Sequence, residues 1–118
     1  MNFENPFKKF EPKEAKDATE RALSEGRADK IRSEMMTLDL ELNEDNFAEI
    51  WDSIVFELPE ASEEVLKLLN EDEISKLKAV VKKAENWLSK QEDRPAEDQR
   101  YLPEIREKVE LLKEQLGI

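Results

Sequence analysis

The sequence predicts a mainly α protein, a small helical bundle that ends in a C-terminal antiparallel helical hairpin. Two observations predict it. Apolar residues recur at intervals of three and four through most of the chain, as in Ile74, Leu77, Val81, Ala84, Leu88 and in Ile105, Val109, Leu112, Leu116. That spacing lines one face of a 3.6-residue helix. Leu, Ile, Val and Phe together supply 30 of the 118 residues, which lifts this highly charged chain above the level at which burial fails to offset the loss of chain entropy. The length suits one domain with one core.

Residues 1–12 carry Phe3, Phe7 and Phe10 with Pro6 and Pro12. The prolines predict an extended N-terminal arm ahead of a helical domain at 13–118. Ala15, Ala18, Ala22 and Leu23 predict a first helix with a thin apolar face, Pro12 near its start and Gly26 as its C-terminal stop. Ala28, Ile31, Met35 and Leu38 predict a second short helix over about 27–36. In "TLDLEL" the period changes, and Leu38, Leu40 and Leu42 at alternate positions predict one short extended segment at 37–42. It would pair across a dimer or act as a connector.

"NEDNFAEIWDSIVFEL" follows, with Phe47, Ile50, Trp51, Ile54, Val55 and Leu58 making a wide apolar helical face that Pro59 ends. This face is expected to lie against the 74–88 helix, with Trp51 and Trp87 in the core. Ser62 is placed to cap a short helix containing Val65, Leu66, Leu68 and Leu69, and Asn70 to cap the next, long one. A last helix starts near Pro103, with Glu104 and Lys108 as an i,i+4 pair. The seams of the two patterned helices are too short for a dimeric coiled coil, so they predict a hairpin over 71–117.

Composition excludes much chemistry. The chain has no histidine and no cysteine, and its only glycines are Gly26 and Gly117. Disulfides, thiolate sites, imidazole bases and glycine-rich phosphate loops are all ruled out. No catalytic residue, metal site or cofactor is indicated. "DLELNEDNFAEI" lacks the turn glycine of a calcium loop and has Ile50 where the bidentate glutamate belongs. No membrane span or secretory leader is legible, and a cytoplasmic protein is the expectation.

Charge is distributed unevenly. The net charge is −11, yet residues 39–73 hold thirteen acids against the single base Lys67. The flanking segments are close to neutral. Seven of those acids fall in predicted first turns, where the helix dipole favours them: Glu44 and Asp45, Glu63 and Glu64, and Glu71, Asp72 and Glu73. Asp39, Glu41, Glu49, Asp52, Glu57 and Glu60 have no such local reason, and Asp45 with Glu49 is a like-charge i,i+4 pair. The plain explanation is a solvated face.

The functional expectation is a non-enzymatic adaptor, chaperone or inhibitor whose acidic face meets a basic surface of another protein. Asp45, Glu49, Asp52, Glu57, Glu60, Asp39 and Glu41 are the candidate contacts. A sharper version is a nucleic-acid mimic that occupies a nucleic-acid-binding protein. Direct nucleic-acid binding is disfavoured because no basic cluster provides a phosphate footprint. The alternative is an all-α, carboxylate and Mg²⁺-dependent nucleotide hydrolase, for which Glu49 with Asp52 and the acids of 60–64 would be the ligands. Phe3, Phe7 and Phe10 are candidate anchors for a partner groove. A mildly basic end of the hairpin leaves a weak homodimer open.

Overall fold

The computed structural model describes residues 12–118, with side chains from Thr19 onward. The expected arm therefore lies outside the described residues up to position 11, and Pro12 opens a helix. The elements are α1 (Pro12–Glu44), α2 (Phe47–Asp52), a π-helical turn (Ser53–Glu57), α3 (Glu63–Leu66), α4 (Glu71–Ser89), α5 (Ala96–Gln99) and α6 (Leu102–Leu116). There is no strand among the described residues.

The expected break at Gly26 and the extended segment at 37–42 are both overturned, because α1 runs through them for 33 residues. Leu38 and Leu42 are buried and Leu40 is 63% exposed. The alternation of leucines is thus a helical i,i+4 pair with an outward-facing residue between. Continued to Leu42, the series Ala28, Ile31, Met35, Leu38, Leu42 keeps intervals of three and four, and all five are core. Gly26 sits in open helix with nothing near its absent Cβ, and one glycine weakens a helix by only about 1 kcal/mol. Helix α1 has two unlike halves. From Thr19 to Arg27 only Ser24 is partly covered, whereas from Ala28 onward one stripe is buried.

Helix α1 ends well beyond the expected second helix over 27–36. Asn43 lies in the last turn, Glu44 is its final residue, and Asp45 takes the left-handed conformation at φ 57°. Asn46 N–H reaches back to the Glu41 carbonyl at 3.4 Å, as in a Schellman closure. Asn46, not Asn43, precedes α2. Helix α6 ends the same way with Gly117 at φ 72°, the Ile118 N–H bonding the Lys113 carbonyl at 3.0 Å.

In the next segment Ile50, Ile54 and Leu58 are spaced by four and fully buried. An α-helix would rotate such a series by about 40° per step. The wider π turn, closed by Leu58 N–H on the Ser53 carbonyl at 2.7 Å, brings Leu58 back into line. This face packs mainly on α1 and α6 instead of the expected α4, although Phe47 stacks on Trp87 with centroids 5.9 Å apart. Trp87 is core, while Trp51 is only half-buried, edge-on to Phe56 at 4.9 Å.

Asn70 caps α4 through a full capping box with Glu73, at 2.8 and 2.9 Å. Ser62 occupies the N-cap of α3 without a side-chain bond. Helices α4 and α6 form the C-terminal hairpin, and α1 lies along α4. Leu77, Val81, Ile105, Val109 and Leu112 from the hairpin meet Ile31, Leu38, Ile50 and Ile54 in one contiguous core. No described helix is long and apolar enough to cross a membrane.

Candidate acidic interaction surface

The fold gathers seven of the thirteen acids of 39–73 into two sets. One set faces bases brought over from other elements. Asp39 pairs with Lys83 of α4 at 2.8 Å, and the same ammonium bonds the Asp39 carbonyl at 3.1 Å. Asp45 accepts from the Trp87 indole N–H at 2.6 Å and from Arg94 at 2.8 Å. Arg94 in turn lies over the Phe47 ring, 4.6 Å from its centroid, and bonds Gln91. Glu73 holds Arg32 of α1 at 2.5 Å, and Glu57 holds Lys30 at 2.7 Å. The Arg32 guanidinium and the Asn70 N–H keep the Glu73 carboxyl below the usual carboxylate range.

The corner around Asp45 is a structural lock. It also borders a depression of about 700 Å³ between the end of α1 and the α4–α5 loop, with Lys83, Lys90 and Arg94 on its walls. The expected face shared by Asp45, Glu49 and Asp52 does not exist, because Asp45 belongs to the α1 terminus and points to α4. Nor are Glu44 and Asp45 first-turn acids. Glu44 sits at the negative end of the α1 dipole, where a carboxylate is disfavoured.

The other set gathers on the opposite flank of α1. Burial pushes the Glu41 carboxyl above its usual range, against the 2.6 Å bond it accepts from Ser53 Oγ, and the fields of Glu49, Glu34 and Asp52 push it further. Those four carboxylates therefore share one electrostatic neighbourhood. Glu49 and Asp52 make no ion pair within 4 Å among the described residues. Lys30 closes one end of this row: its bond to Glu57 raises its pKa, burial opposes that, and the fields of Glu57, Glu34 and Asp52 add to the rise. Glu34 is 3.8 Å from the same ammonium. Glu60 lies apart, in the field of Lys108.

Of the expected contacts, then, Glu41, Glu49 and Asp52 come together, with Glu57 at their border. Asp39, Asp45 and Glu60 are elsewhere. The fold adds Glu34, which sequence reasoning passed over because it lies in a segment of zero net charge. The signal was its place seven residues before Glu41, two turns along one continuous helix. Among the described residues no group of three or more carboxylates converges closely enough to hold a metal ion. Phe3, Phe7 and Phe10 lie outside the described residues.

Comparison of the chain with protein-family models, with curated proteins and with solved structures gives no significant match. The class defined here is that of a small all-α helical domain.

Proposed function

We propose that the protein is a non-enzymatic docking module whose acidic helical surface binds a basic surface of a partner protein. The supporting observation is the row Glu34, Glu41, Glu49 and Asp52, in which the fields of the other three act on the part-buried Glu41 carboxyl, with Lys30 at one end. Such repulsion weakens the free protein and is relieved when a cationic surface covers it, so the same charges favour association and select the partner. The sharper form of the proposal is mimicry of nucleic-acid phosphates on a nucleic-acid-binding protein.

The test is affinity capture from a lysate of the source organism, at about 50 mM and about 500 mM salt, with the natural chain and with a Glu49→Lys/Asp52→Lys variant. A stoichiometric partner is expected at low salt, lost at high salt as exposed charges are screened, and lost with the variant at either. Displacement of that partner by duplex DNA or RNA supports mimicry. Equal capture by the variant overturns the proposal, as does direct binding of duplex DNA by the natural chain with a steep salt dependence.

A further inference from the structure

A second surface is lined by none of the residues of the acidic row. Between the π-helical turn and α6 lies a groove of about 550 Å³ floored by Val55 and Leu111 and rimmed by Glu104, Glu107, Glu110 and Glu114. All four glutamates are exposed. At one end Glu104 accepts the Trp51 indole N–H at 3.2 Å, and Trp51 carries Phe56, which is 63% exposed. Leu111, half-covered, is not among the residues packed on the core.

The cation in this groove does not neutralise the rim. Lys108 turns its ammonium inward to the Leu58 carbonyl at 2.7 Å, and burial lowers its pKa. Lys113, next along α6, is held by Glu85 of α4. The groove therefore presents an apolar floor and an aromatic end within a strip of four carboxylates about 15 Å long, the rise of ten helical residues.

We propose that this groove binds a basic amphipathic segment of a partner protein, two or three turns of helix with apolar anchors on the floor and Lys or Arg against the rim. Charge complementarity selects that occupant. An acidic or neutral helix would bury the floor against a repulsive or unanswered rim, whereas a basic one satisfies both features in the usual helix-in-groove manner. The site is separate from the row described above and does not depend on it.

The probe is a synthetic 14-residue amphipathic peptide of leucine and lysine, with a second peptide in which serine replaces each leucine at the same charge. Binding is read by isotope-edited NMR and fluorescence anisotropy on the full chain. The leucine peptide is expected to bind at least tenfold tighter, with shifts centred on Val55, Phe56, Lys108 and Leu111. Glu107→Lys/Glu110→Lys and Leu111→Ser should each weaken it about tenfold or more, with unchanged circular dichroism. Glu49→Lys/Asp52→Lys should change it less than twofold. Equal binding of both peptides, shifts centred elsewhere, or equal loss with the Glu49/Asp52 variant would overturn the proposal. So would binding seen only after deletion of residues 1–11, whose Phe7-Lys8-Lys9-Phe10 has the same chemistry; that result would give the groove to the chain's own terminus.

Discussion

The two flanks of α1 treat charge in opposite ways. Toward α4, Arg32 meets Glu73, Asp39 meets Lys83, and Asp45 just past the helix end meets Arg94 and Trp87. Toward α2 and the π turn, Glu34 and Glu41 meet Glu49 and Asp52, with Lys30 at one end. Both flanks border the same core stripe and come from the same helix. The difference shows that a net acidic composition is not spread as a coat. On one side the acids pair with bases of other elements, and on the other they crowd together with Lys30 at one end.

The largest expected effect that would break this comparison is at Asp45. Asp45→Ala removes the acceptor of a part-buried indole N–H and of Arg94, and leaves a residue without local hydrogen bonding in the left-handed region. The expected loss is about 2–4 kcal/mol in urea unfolding. Asp45→Asn, which keeps an acceptor and tolerates that conformation, should lose less. If Asp45→Ala were no worse than Glu49→Ala, the two flanks would not differ.

Acid titration of stability sharpens the contrast through its sign. Glu73 titrates below its unfolded value, so its stabilisation is present above the ordinary carboxylate range and is lost as pH falls through the lowered pKa. Glu41 titrates above its unfolded value. Its relative stabilisation is full below the ordinary carboxylate range and is lost as pH rises through the raised pKa. Glu73→Gln should therefore be most harmful near neutrality, whereas Glu41→Gln should raise the melting temperature near neutrality and make little difference in acid. The same sign for both would show that the flanks are electrostatically alike.

A smaller effect tests the continuity of α1. Gly26→Ala meets no atom and keeps helical φ, so it should stabilise by about 0.5–1 kcal/mol or, if the exposed half frays, raise only helicity. A left-handed stop at Gly26 would make the same change destabilising. The smallest is Glu49→Gln, which relieves like-charge repulsion and should gain a few tenths of a kcal/mol. A measurable loss would mean that Glu49 has a partner within the fold.

Most helices were legible because each buries an apolar face by itself. Asn70, Pro103 and the seams of α4 and α6 are local signals that the structure repeats. The misreadings arose where two periods fit the same residues. Leu38, Leu40 and Leu42 satisfy a strand on three positions, and only the longer series from Ala28 decides for helix. The chain reverses at Asp45, whose carboxylate accepts from Trp87 and Arg94, both more than forty residues away.

By itself the sequence determined the all-helical class, the hairpin and the absence of imidazole, thiol and glycine-loop chemistry, because composition and periodicity act within a few turns of chain. Tertiary structure decided which acids are matched. Lys83 and Arg94 lie more than forty residues from Asp39 and Asp45, and Glu34 joins Glu41, Glu49 and Asp52 only once α1 packs against α2. Charge is counted along the chain, but it interacts through space, and at the screening lengths of salt water only neighbours within about 10 Å matter.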